Sequence, residues 1–147
     1  MTDTAATAHR AASVLILRDS PQGPQVLLTR RGAGMRNLAD NWVFPGGRED
    51  EADRGAVAAS CLAPGCEPAD AAALGAFCSA IRETLEETGA LLATATAPPP
   101  RPVVASLRKA GSGAFFGQLA AHGATLDTRA LIPWSHWIAP QKIRHRF

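Results

Sequence analysis

The 147 residues, 46% of them hydrophobic, suit one domain with material for a real core. A net charge of +2 from 15 basic and 13 acidic residues gives no global field for nucleic acid or an anionic membrane. No run approaches the roughly 18 consecutive apolar residues of a membrane span. Three cysteines, Cys61, Cys66 and Cys78, lack the further pair or nearby His of a tetrahedral metal set, and Met1 to Arg10 lacks a basic-then-apolar leader. Unpaired thiols in a reducing cytoplasm are the simplest reading.

In chain order, residues 1–10 are small and polar, a tail without apolar periodicity. Ala11 to Leu17 and Gln25 to Arg30 read as two strands of a hairpin, joined by a turn-rich loop, with enough apolar density to predict burial on both faces. The glycine-containing stretch from Arg31 to Asn41 carries Arg31 and Arg36, whose planar guanidiniums suit phosphate as well as they suit solvent. Trp42 to Phe44 returns to strand character and enters Pro45-Gly46-Gly47, a turn that lets backbone approach a ligand closely.

Residues 48–55 are highly charged and read as exposed, and Ala56 to Leu62 reads as a short helix. A helix starts with Asp70 or an earlier residue near its cap and runs through Leu74. The sequence leaves open whether a break separates it from a helix over Phe77 to Thr88, which stops at Gly89 and carries Phe77, Ile81 and Leu85 as its apolar stripe. Pro98 to Pro102 is a polyproline-like connector, followed by two short helices on either side of Gly111-Ser112-Gly113. Leu131 to Ile138 reads as a last strand, with Trp134 and Trp137 packing at a core or its rim and Pro133 favouring an edge.

Arg82-Glu83-Thr84-Leu85-Glu86-Glu87-Thr88-Gly89 is the chemically loaded stretch. Glu83, Glu86 and Glu87 stand at i, i+3 and i+4, so three carboxylates share one helix turn. Each like-charged pair at that spacing costs a few tenths of a kcal/mol, roughly, so a divalent cation or a facing arginine is the natural compensation. A plain solvated face carries the same pattern; the flanks decide between them.

With Gly46-Gly47 upstream, the chain resembles the Nudix hydrolases, whose box is G-x5-E-x7-R-E-U-x-E-E-x-G-U, U being a bulky aliphatic residue. Gly47 matches the first position, and Arg82, Glu83, Glu86, Glu87 and Gly89 match the second half. Asp53 stands where the pattern has Glu, Thr84 and Ala90 stand at aliphatic positions, and the 28 residues from Arg54 to Ile81 replace the seven of the pattern. The box is therefore split by an insertion over about residues 54–76, as in the peroxisomal coenzyme A diphosphatase group and its bacterial relatives. Leu27-Leu28-Thr29-Arg30-Arg31-Gly32, then Arg36, Asp40 and Phe44-Pro45-Gly46-Gly47, is similar to the coenzyme A motif L-L-T-x-R-[SA]-x3-R-x3-G-x3-F-P-G-G, with Gly32 and Asp40 as departures.

The resemblance implies an α+β fold, an α/β/α sandwich with a mixed sheet and a catalytic helix, over residues 11–147. It implies Mg²⁺ or Mn²⁺ held by Glu83, Glu86, Glu87 and the Gly46 carbonyl, with Arg82 orienting Glu83. Arg31, Arg36, Phe44 and Gly47 would face a small nucleoside-diphosphate substrate, coenzyme A or acyl-CoA first, ADP-ribose or NADH second. Relatives continue past the Trp137-Ile138-Ala139-Pro140 segment into further strands and a closing helix, so an incomplete sheet is expected, and with it a non-catalytic remnant or binding module as the competing class. No nucleic-acid or membrane partner is implied, and the oligomeric state is left open.

Overall fold

The computed structural model describes residues 8–34, 39–92, 94, 97, 99–138 and 140. Six short strands come first: β1 Ala11–Ser13, β2 Leu17–Arg18, β3 Gln25–Val26, β4 Thr29–Arg30, β5 Trp42–Val43 and β6 Gly46–Arg48. They pair antiparallel as β1 with β6, β2 with β3 and β4 with β5. The predicted hairpin is present, with Leu17 opposite Val26, but each predicted strand is interrupted. Among the described residues, the expected single mixed sheet is three two-stranded pieces, and parallel pairing enters there only as an isolated Leu62 to Leu126 bridge.

Four helices follow: α1 Ala56–Ser60, α2 Ala71–Thr88, α3 Arg101–Leu107 and α4 Ser112–Ala121. The second is one uninterrupted rod of 18 residues. Asp70, in extended backbone, caps it by accepting from the Ala73 N–H at 2.8 Å. Gly89 ends it at φ +78, a left-handed position that glycine adopts without a Cβ penalty, and its N–H returns to the Leu85 carbonyl. Leu74, Cys78, Ile81 and Leu85 are the buried face; Phe77, assigned to the stripe by sequence, is half-buried.

This face packs with Ala58, Cys61, Leu107, Phe115, Phe116, Leu119 and Leu126 in one core. Phe115 and Phe116 meet edge to face at 4.9 Å. Fully burying each large side chain contributes about 1.5–3 kcal/mol. The segment inside the split box thus contributes core residues of its own, Ala58 and Cys61. Backbone bonds from Leu126 N–H to the Cys61 carbonyl and from Ala63 N–H to the Leu126 carbonyl, both 2.8 Å, stitch it to the chain beyond α4. All three cysteines are free and buried.

Five expectations need correction. The first hairpin is not buried on both faces: Leu15, Leu17, Val26, Leu27 and Leu28 are exposed, because α2 covers β1 and β6 while β2 and β3 pack chiefly on each other. Residues 48–55 are not all solvated, since Glu49 and Asp53 are buried among arginines and Glu51–Arg54 forms a 3-10 turn. Pro102 belongs to the first turn of α3, where its missing N–H costs nothing, rather than to a connector. Leu131 to Ile138 forms no strand: no ladder partner meets it, and Trp134 and Trp137 are 85% and 82% exposed instead of packed. The predicted tail reaches as far as Arg10, yet Arg10 is tied down by Glu49 at 2.9 Å and by the Ala72 carbonyl at 2.8 Å; residues 1–7 lie outside the described residues. No helix among the described residues is long and apolar enough to cross a membrane.

Candidate active site

The centre of the site is the guanidinium of Arg82, whose side chain is 3% exposed. Its Nε and Nη2 donate to the two carboxylate oxygens of Asp53 at 2.9 and 2.8 Å, a two-pronged clasp across the box insertion. Nη2 also donates to the Arg48 carbonyl at 3.1 Å. Nη1 serves Glu83 at 2.9 Å and Glu86 at 3.3 Å. Every nitrogen of the fork is therefore engaged, and the arginine joins β6, the 3-10 turn and α2 in one network. Burial by itself would lower the Arg82 pKa, but the hydrogen bond and charge of Asp53, then Glu83 and Glu86, raise it, so the guanidinium stays charged.

Gly47 lets α2 approach the strands, and Gly46 lets β6 approach β1. A Cβ on Gly47 would fall on the Glu83 carboxylate, so the bare backbone is what admits that side chain. Gly46, at φ +150, has its own Cβ position blocked by the Ala12 carbonyl and Ser13 Cα, and its N–H donates to Glu87 at 3.2 Å. Glu83 is mostly buried, and that desolvation, outweighing Arg82 and reinforced by Glu86 and Glu87, pushes its carboxyl above the usual range.

A second buried carboxylate supports the first. Glu49 lies between Arg10 Nε at 2.9 Å and Arg54 Nε at 2.8 Å, the latter an ion pair outside hydrogen-bond alignment. It fills a notch in α2 where Gly75 has no side chain. The adjoining anchor of the insertion is Cys66, whose thiol donates to Asp127 at 3.2 Å while Asp127 takes both prongs of Arg129. Burial raises the Cys66 pKa, whereas Arg129 holds Asp127 well below the usual carboxylate range.

Of the residues singled out by sequence, Gly46, Gly47, Arg82, Glu83, Glu86 and Glu87 come together around one helix turn. Arg31 sits on the preceding loop, its backbone bonded to Asn41 and Asp40, and Phe44 is 40% exposed on the strand leading into Pro45. Arg36 lies outside the described residues. Sequence reasoning passed over Asp53, Glu49, Gly75 and Arg108 as working parts; only Asp53 carried a signal, through its position in the box.

The donor set of Glu83, Glu86 and Glu87 is all oxygen, which suits a hard divalent cation. These carboxylates are engaged by Arg82 and the Gly46 N–H, and among the described residues no three His, Cys, Asp or Glu side chains form a ready metal cluster. The chemistry fits such an ion; the side chains stand in their own hydrogen bonds.

No protein-family model and no curated protein matches the sequence. Among solved structures, the fold is similar to the crystal structure of a NUDIX hydrolase from Alicyclobacillus acidocaldarius, with a TM-score of 0.80 and 29% sequence identity. The match covers 96% of this chain and 66% of that one, so the chain spans about two thirds of the length of its structural neighbour. In fold and in sequence, the chain is similar to a Nudix hydrolase.

Proposed function

We propose that the chain is a Mg²⁺- or Mn²⁺-dependent Nudix hydrolase that cleaves the diphosphate bond of a nucleoside-diphosphate derivative, coenzyme A or acyl-CoA before ADP-ribose or NADH. The observation that carries this reading is the Asp53 to Arg82 clasp, which joins the two halves of the split box despite the insertion over about residues 54–76. The Nudix structural neighbour supports the reaction class. The coenzyme A preference rests on Arg31, Arg36 and the spacing from Leu27 to Gly47.

In this reading Glu83, Glu86, Glu87 and the Gly46 carbonyl hold the ion, which supplies charge neutralisation of the diphosphate and a more acidic bound water. Arg82 fixes the directions of Glu83 and Glu86 through Nη1. Glu83 is one candidate for accepting the proton of an attacking water, and a base from a later loop is the other. Arg31 and Arg36 neutralise substrate phosphates from the loop, and Phe44 and Gly47 line the approach. The domain spans residues 11–147, and three buried free thiols accord with a reducing cytoplasm.

The competing reading is a non-catalytic binding module. It is favoured by one observation, the engagement of the carboxylates with Arg82 and Gly46 instead of a ready metal cluster among the described residues. Incubating the pure chain and Mg²⁺ with coenzyme A, ADP-ribose and NADH separates the two. Release of 3′,5′-ADP from coenzyme A, abolished by Glu86→Gln, is the expected result. AMP from the other two substrates alone would move the specificity, and no product from any would leave the binding module.

A further inference from the structure

We infer that Arg108 is a positioning residue for Glu86 and Glu87, an inference that rests on the metal-dependent reading above. Its Nε donates to the Glu86 carbonyl at 3.0 Å, and Nη2 reaches the Glu87 carbonyl at 3.4 Å. Both belong to the last turn of α2, whose final four carbonyls have no partner within the helix. The other closing bonds go elsewhere: Gly89 N–H to the Leu85 carbonyl, Thr88 Oγ1 to the Thr84 carbonyl, and Ala90 N–H to Thr88 Oγ1. Arg108 therefore supplies the donors for the backbone of the two residues whose side chains matter.

The arginine is itself well rooted. It follows the fully buried Leu107 at the end of α3, and its N–H bonds the Val104 carbonyl at 3.0 Å. Nothing in the box pattern demands it, because it comes 21 residues after Glu87 and from another helix. Its charge also complements the negative end of the α2 dipole.

Two effects of Arg108 on cation binding oppose each other. A guanidinium near the carboxylates repels a divalent ion, whereas a fixed last turn keeps Glu86 and Glu87 in a common direction. Arg108 is exposed, so its long-range charge is screened by water and salt. The hydrogen bonds to the backbone act at contact and are not, so positioning wins and losing the arginine weakens the site.

Mn²⁺ titration of the full chain, reading the free aquo ion by electron paramagnetic resonance, tests this in Arg108→Ala, Arg108→Lys and a Glu86→Gln/Glu87→Gln background. Arg108→Ala is expected to bind Mn²⁺ about tenfold more weakly, at the low end for loss of an outer-shell partner. Arg108→Lys, keeping the charge and a donor, recovers part of the loss, and amide exchange at Gly89 and Ala90 quickens in Arg108→Ala while the rest of α2 stays protected. Unchanged or tighter Mn²⁺ binding in Arg108→Ala overturns the inference. So does a loss that tracks general unfolding across α2 and that Arg108→Lys does not relieve. Wild-type chain binding no better than the double Gln background sinks the metal-dependent reading itself, and the inference with it.

Discussion

Asp53 and Arg82 lie 29 positions apart in sequence, yet they face each other through two hydrogen bonds of 2.9 and 2.8 Å, with the carboxylate fully buried. A buried pair of this kind resists loss of one partner much more than replacement of both, because the remaining charge stays desolvated. Asp53→Asn is therefore expected to destabilise the fold by about 3–5 kcal/mol, read from urea denaturation followed by circular dichroism. Asp53→Glu should keep the charge but crowd the pocket, falling between the two; Asp53→Asn as stable as wild type would show that the clasp does not hold the fold.

Gly47 separates positioning from stability. Its backbone needs no unusual conformation, and the atoms nearest an alanine Cβ there are those of the Glu83 carboxylate, which must move away. Gly47→Ala is expected to lower the proposed diphosphatase turnover about a hundredfold, the usual effect of a misplacement near 1 Å. Its melting temperature should change little. Full turnover in the alanine variant would show that Glu83 works from another position.

Thr84 stands where the Nudix pattern has a bulky aliphatic residue, and its hydroxyl is buried without a hydrogen-bond partner among the described residues. Valine has the same shape without the stranded oxygen. Thr84→Val is expected to stabilise the chain by about 1 kcal/mol. At this chain length that corresponds to a rise of about 2–4 °C in Tm by thermal melting.

Acid should act through Asp127. Its pKa is depressed in the folded state, first by the Arg129 hydrogen bonds and then by the Cys66 thiol, from an ordinary value of 3.8. A depressed carboxylate adds stability above its unfolded pKa and loses it as pH falls through the folded one. In urea titrations, Asp127→Asn should therefore be weaker than wild type at pH 7, and the gap should close as the pH drops below the ordinary aspartate range. A gap that persists unchanged would mean Asp127 acts by packing alone.

Local features were readable from residues 77–89, where stripe and stop signal agree and the three carboxylates fall on one turn by geometry alone. The continuity of that helix with the turn capped by Asp70 was not legible and came from the structure. The partners of that helix were less readable. Glu49 looked solvated in a charged run, but its burial depends on Arg10, Arg54 and the notch at Gly75, none of which is near it in a helical or strand period. Arg108 had no sequence signal, since a bond to another helix's carbonyls leaves no pattern. The strand expected at 131–138 failed for the complementary reason: alternating large residues describe a strand only when a neighbour supplies the ladder.

The stitched segment inside the box has a consequence for how such a site evolves and folds. Each doubling of a flexible loop adds only about 0.6 kcal/mol of closure entropy, and of the 28 residues here those from Ala71 onward belong to α2 and to no loop. Burial of Ala58 and Cys61 and the backbone bonds of Cys61 and Ala63 to Leu126 offset a cost of that size. Assembly is then non-local: the clasp joins residues 29 positions apart, and the segment between them is tied by backbone bonds to Leu126, farther still along the chain. An active site of this type is defined by a chord across the fold, and the continuity of its motif along the chain is dispensable.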